Sequence, residues 1–140
     1  MKFEDLVQQM KNDIIQLGAQ ELRTPADVDA VIPHAKGTML VVVNSTCGCA
    51  SGTARPALRE SLHHPNKPDK LVTVFATTDR EATARVRQYF PGQPPSSPSF
   101  ALMKDGKLVT MIHRSQIKDH SVEQVARELT DAYDRHCTGN

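Results

Sequence analysis

A chain of 140 residues suits one compact domain around a single hydrophobic core. Its 17 basic and 16 acidic residues leave a net charge of +1, which offers no field to nucleic acid or to an anionic membrane. The longest apolar run, Met39 to Val43, falls far short of the roughly 20 residues a membrane span needs. Met1-Lys2-Phe3-Glu4-Asp5 turns acidic too early for a signal peptide, so a soluble, cytoplasmic protein is expected.

Helical spacing opens the chain. Leu6, Met10, Ile14 and Leu17 recur at four and three residues, with Lys11, Asn12 and Asp13 on the other side, and Gly18 marks the stop. Thr24-Pro25 restarts a short helix, with threonine at the N-cap, proline at the first helical position, and Val28, Val31 and Ile32 turned inward. Met39 to Val43, bounded by Gly37 and Asn44, reads as a buried central strand. Cys49 to His64 is helical in composition, with Pro56 inside it. Leu71 to Ala76 is a second buried strand, and Arg80 to Phe90 a helix with Ala82, Val86 and Tyr89 on its inner face.

A loop rich in proline and serine, residues 91–98, comes next. Ser99 to Met103 and Leu108 to His113 flank Asp105-Gly106, a strong hairpin signal. Ser121 with Gln124 forms a capping box ahead of a helix that turns Val122, Val125, Ala126, Leu129, Ala132 and Tyr133 to one face. The order is two helices, then β-α-β-α-β-β-α. Right-handed crossover makes the first two strands parallel, and the hairpin adds two mutually antiparallel ones. The outline is an α/β thioredoxin-like fold: a mixed four-stranded sheet flanked by helices, with two extra N-terminal helices. One domain over 1–140 is expected, with 1–36 as a helical extension and 38–137 as the core.

Cys47-Gly48-Cys49 falls where the first strand ends and a helix begins, the place where α/β folds concentrate chemistry. Unpaired amides and the positive end of the helix dipole favour a thiolate there. A thiol brought down from about 8.5 to about 6.5 gains roughly twelvefold in thiolate at about pH 7.4, while its intrinsic nucleophilicity falls about eightfold. Attack gains little. Leaving-group quality and stabilisation of the reduced form gain more, about 2.7 kcal/mol or roughly 60 mV for a two-electron couple. The one-residue spacer closes a small ring, for which Gly48 has the freest backbone.

Three rival readings compete for the same residues. The two cysteines would be buried and structural in the first. Cys47, Cys49, His136 and Cys137 would hold zinc or an iron–sulfur cluster in the second, although C-x-C with a distant His-Cys is no standard spacing. In the third, Cys49 to Arg55 has the C-x5-R spacing of cysteine phosphatases and arsenate reductases. Against it, Pro56 stands where those families place Ser or Thr, no Asp-Pro dipeptide supplies a general acid, and Cys47 is ignored.

The stretch from Val41 to Ala57, with Cys47-Gly48-Cys49 inside it, resembles the signature of the bacilliredoxins, and the resemblance continues through Leu71 to Ala76, Glu81 to Ala84, Pro94 to Ser99 and Ala132 to Cys137. It implies a thiol–disulfide oxidoreductase that reduces mixed disulfides between client proteins and the small thiol bacillithiol. By this resemblance Cys47 attacks the bacillithiol sulfur, and Cys49 or bacillithiol itself resolves the adduct. Disulfide isomerase activity is also associated with the family. Bacillithiol enters as a co-substrate, with no bound cofactor and no metal expected.

Pro98 is similar in position to the cis-proline of thioredoxin folds, which would set Ser97 backbone groups opposite Cys47 to pair with a client. Thr46 replaces the aromatic residue usual before the first cysteine, and the chain has no tryptophan, so the approach past Thr46 and Gly48 is expected to be open and polar. Arg55 reads as a solvated helix charge or as an aid to the thiolate. Cys137 is open to three readings: a spare thiol, a resolving partner, or a homodimer link. His63, His64, His113 and His120 receive no function.

Overall fold

In the computed structural model the valine-rich run becomes β2 (Thr38–Asn44), buried at all 7 positions. The structure describes residues 2–45 and 48–137, leaving aside the side chains of Phe3, Cys49 and Ser51. The remaining elements are α1 (Phe3–Ile15), β1 (Gln20–Glu21), α2 (Pro25–Val31), α3 (Gly48–Ser61), β3 (Lys70–Phe75), α4 (Arg80–Arg87), β4 (Ser99–Lys104), β5 (Lys107–Ile112), α5 (Arg114–Ile117) and α6 (Val122–His136). Among the described residues no helix is long and apolar enough to cross a membrane.

The sheet runs β1-β3-β2-β4-β5, with β2 at its centre. β2 lies parallel to β3, Met39 opposite Lys70 and Asn44 opposite Phe75, and antiparallel to β4, Thr38 opposite Lys104 and Val43 opposite Ser99. Four of these strands were expected; the sheet has five. The addition, β1, pairs Gln20 with Val72 and Glu21 with Thr73, and Leu22 N–H donates to Thr73 O at 2.8 Å. A pairing two residues long shows no alternation in sequence; what recruits it is the row of unpaired groups on the open edge of β3.

Alternation along β2 explains why its sequence is apolar throughout. Leu40 and Val42 face α3 and α6, in one core with Ala54, Leu58, Phe100, Leu129 and Tyr133. Met39, Val41 and Val43 face α2 and α4, in a second core with Val28, Ile32, Val74 and Val86. A strand covered on both faces has no solvent side to hold polar residues. Tyr133 is fully buried, its hydroxyl 2.9 Å from Ser61 Oγ, and burial pushes its pKa up to about 12.

Local signals in the sequence became the boundaries. Asp27 N–H donates to Thr24 Oγ1 at 3.1 Å while Asp27 Oδ2 accepts from Thr24 N–H at 3.3 Å, capping α2 with Pro25 in its first turn. Asp105 and Gly106 take φ of 52° and 81°, the left-handed pair that a two-residue hairpin requires. Ser121 and Gln124 cap α6 as their spacing predicts. α4 ends at Arg87, short of Phe90, and α5 is a four-residue turn that the sequence did not signal.

α1 is rotated from its expected setting. Val7, Lys11 and Ile14 face inward, whereas Leu6 is 42% exposed and Met10 half-buried. Lys11 turns in because its Nζ finds Asp79 Oδ2 at 2.9 Å and Glu21 Oε1 at 3.0 Å, with the Phe75 ring centroid at 5.8 Å. Burial works against its charge, but the bonds to Asp79 and Glu21 prevail and hold the pKa above the usual lysine value.

Removing one partner from such a cluster leaves the opposite charges uncompensated. Lys11→Met is expected to lower unfolding stability by about 2 kcal/mol in urea, less than a fully buried pair would lose, because both carboxylates keep some contact with water.

Candidate active site at the end of the central strand

Two of the expected site residues, Thr46 and Cys47, lie outside the described residues. The chain on either side of them is described. β2 ends at Asn44, and α3 starts at Gly48 with Cys49 in its first turn, so the cysteine motif leads out of the central strand into a 14-residue helix. The first turn of α3 contains no acidic residue to neutralise its free amides.

Asn44 secures the strand end, a role the sequence reading did not assign. It is buried; its amide donates to Thr73 Oγ1 and to Val74 O, the latter at 3.4 Å, and Thr73 Oγ1 donates onward to Val42 O at 3.1 Å. Ala76 N–H donates to Asn44 O at 2.9 Å. An asparagine that closes an apolar run is the available sequence signal, since a buried amide there needs partners on a neighbouring strand.

The Ser97-Pro98 peptide bond is cis, Pro98 is buried and Ser97 half-buried. Val43 pairs with Ser99, so continuing that antiparallel register by two residues brings Ser97 level with Ser45, just before the cysteine motif. Among the described residues, the N–H and C=O of Ser97 have no hydrogen-bond partner. The structure thus brings Ser97 and Pro98 to the end of the sheet where β2 hands over to Gly48 and Cys49.

Cys137 does not join them. It follows α6, half-buried near Thr38, Asp69 and Lys104, at the opposite end of β2. Along the strand that is a separation of roughly 20 Å, against the 4.4–6.8 Å between Cα atoms that a disulfide allows. Within one chain Cys137 is no resolving partner, and His136-Cys137 cannot complete a metal site with Cys49. Among the described residues no group of three or more His, Cys, Asp or Glu side chains is placed to hold a metal ion. Burial, opposed by a hydrogen bond with Thr38, pushes the Cys137 thiol above its ordinary pKa.

The C-x5-R reading also fails on geometry. Cys49 and Arg55 belong to one continuous helix, Gly48–Ser61, which carries Arg55 about 9 Å along the axis from Cys49. An oxyanion-binding loop would have to curl around the sulfur instead.

A five-stranded mixed sheet between two helical layers, with a cis-proline beside the end of its central strand, defines a thioredoxin-fold protein. The comparisons agree. Over 84% of this chain and 98% of the other, it superposes on the thioredoxin of Fasciola hepatica with a TM-score of 0.57 at 23% identity. Over 86% and 91% it superposes on the thioredoxin of Malassezia sympodialis with a TM-score of 0.58 at 14% identity.

Sequence relationship is closer. The family described as disulphide isomerase matches residues 3–137. A bacilliredoxin of Geobacillus kaustophilus is 52% identical over 135 residues, 96% of this chain and 92% of the relative. Another, from Staphylococcus saprophyticus, is 51% identical over 133 residues, 95% and 91% of the two chains. The chain belongs to the bacilliredoxin family.

With Cys137 remote and its thiol held protonated, Cys137→Ser is expected to leave disulfide-exchange rates within about twofold of the parent protein. In a timed alkylation at neutral pH followed by mass spectrometry, Cys137 should be the last of the three cysteines to react.

Proposed function

We propose that the protein is a thiol–disulfide oxidoreductase that reduces mixed disulfides between client proteins and bacillithiol, with Cys47 as nucleophile and Cys49 as resolving thiol. Family membership and the thioredoxin fold support oxidoreductase chemistry. The observation that carries the reading is the place of the cysteine motif in the chain: it joins the end of a doubly buried strand to the N-terminus of α3, and the register of β4 carries Ser97, whose N–H and C=O have no partner among the described residues, to that same end of the sheet.

The thiolate of Cys47 attacks the bacillithiol sulfur of the mixed disulfide. A bond forms between Cys47 and bacillithiol, the bond to the client sulfur breaks, and the client leaves as a thiolate that takes a proton from water. The Cys49 thiolate then attacks Cys47, expelling bacillithiol and leaving a Cys47–Cys49 disulfide. Alternatively, a second bacillithiol attacks the adduct, regenerating the Cys47 thiolate and departing as bacillithiol disulfide. Electrons balance in each route: the first oxidises the two protein thiols and releases two thiols, client and bacillithiol, and the second consumes one bacillithiol thiol for the one client thiol released. No bound cofactor is needed.

The remaining assignments belong to the same reading. Gly48 lets the short ring close. Thr46 puts no aromatic side chain before the first cysteine, and Ser97 with Pro98 receives the client main chain as an added strand, a mode in which peptide hydrogen bonds give affinity without demanding one side-chain sequence. Isomerase activity would share the first attack but let the client expel Cys47 before Cys49 acts. The setting for this chemistry is the reducing cytoplasm, where cysteine pairs are kept for exchange and not for structure.

Reduced protein incubated with a bacillithiolated client, with release followed by mass spectrometry, tests the proposal. Cys47→Ser should abolish release, and Cys49→Ser should permit one turnover and accumulate the protein–bacillithiol adduct. Undiminished release by Cys47→Ser would remove the assignment.

A further inference from the structure

Between Phe90 and Ser99 the chain carries Pro91, Pro94, Pro95 and Pro98, none of which has an amide hydrogen to donate. Gln93 N–H donates to Phe90 O at 3.2 Å, and among the described residues no other main-chain bond holds residues 91–98. Side chains hold this loop instead. His113 directly follows β5 and stands beside the start of β4, because Ile112 pairs with Phe100. Its Nε2 lies 2.7 Å from Gln93 Oε1 and its Nδ1 lies 2.9 Å from Ser96 Oγ.

The chemistry of these partners orients the ring. An amide oxygen only accepts, so Nε2–H donates to Gln93, and in the neutral ring Nδ1 accepts from the Ser96 hydroxyl. One imidazole thereby ties two points of the loop together. It is itself anchored, since His113 N–H donates to Gln116 Oε1 at 3.0 Å. Ser96 O in turn accepts from Ser99 Oγ at 3.0 Å and from Arg87 Nη2 at 3.4 Å. Three of these bonds, from His113, Ser99 and Arg87, end on Ser96, and the next residue is Ser97, whose N–H and C=O have no partner among the described residues.

We propose that His113 is a positioning residue for client recognition: by bonding Gln93 and Ser96 together, it holds the Ser97 main chain ready to pair with the peptide segment flanking a client's mixed disulfide. The role rests on the thiol–disulfide reading above. A loop without internal hydrogen bonds would otherwise have to be ordered by the client at the cost of binding energy, and preorganisation removes that cost. In this role the ring acts through the loop and not on the reacting atoms. Its effect belongs to substrates that carry a peptide on either side of the disulfide, and small disulfides do not share it.

Two probes separate this role from a structural one: the bacillithiol mixed disulfide of a ten-residue cysteine peptide, and that of free cysteine. Each hydrogen bond is worth a factor of about three to ten, so His113→Ala should raise KM for the peptide probe about tenfold, leave kcat near the parent value and leave the free-cysteine probe unchanged. Gln93→Ala, at an exposed site, should move KM in the same direction by a smaller factor, and His113→Gln, which keeps a donor and an acceptor, should recover part of the loss. Should His113→Ala fail to fold by circular dichroism, Gln93→Ala decides. Equal losses on both probes, or none on either, overturn the positioning role while leaving the function intact. Parent protein that turns over neither probe in a Cys47-dependent way overturns the thiol–disulfide reading, and the positioning role with it.

Discussion

Burial of β2 on both faces is the constraint from which the rest of the molecule follows. Leu40 and Val42 on one side, with Met39, Val41 and Val43 on the other, need a helical layer over each face, and α3 with α6 and α2 with α4 provide them. Once both faces are covered, neither can host a site that must meet another protein. Only the ends of the strand remain, and polar chemistry is displaced to them. The N-terminal segment takes part in this enclosure. Ile14 enters one core and Leu22, Val28 and Ile32 the other, while β1 covers the outer edge of β3.

The two ends of β2 treat a cysteine in opposite ways. At the Thr38 end, Cys137 sits half-buried behind α6, and burial disfavours its charged form. At the Asn44 end, Cys49 lies in the first turn of a long helix, where free amides and the aligned peptide dipoles favour negative charge. The surroundings differ in kind: burial acts at one pole, and the start of a helix lies at the other. At that end Asn44 is hydrogen-bonded to Thr73, Val74 and Ala76, which ties the last residue of β2 to the neighbouring strand.

Much of this was legible in the residues because it depends on near neighbours. The caps at Thr24 and Ser121, the turn at Asp105-Gly106 and the two buried strands each follow from a few consecutive side chains and their backbone preferences. The position of Cys47-Gly48-Cys49 between strand and helix was legible for the same reason. The rotation of α1 was not, because Lys11 turns inward to meet Glu21 and Asp79, and nothing in the local pattern shows that those carboxylates will be waiting. β1 and α5 were too short to show a period. His113 gave no sign either, since its partners Gln93 and Ser96 reach it only after the β4–β5 hairpin has folded back.

The amino-acid sequence alone determined the family, the order of the principal elements and the place of Cys47-Gly48-Cys49 between a strand and a helix, because composition, short-range spacing and covalent order carry all three. Tertiary structure decided that Cys137 lies at the opposite end of the sheet from Cys49, which charged side chain is buried, and which ring holds the loop before Pro98. Those outcomes turn on contacts between residues far apart in the chain, and such contacts exist only once the sheet has set its register.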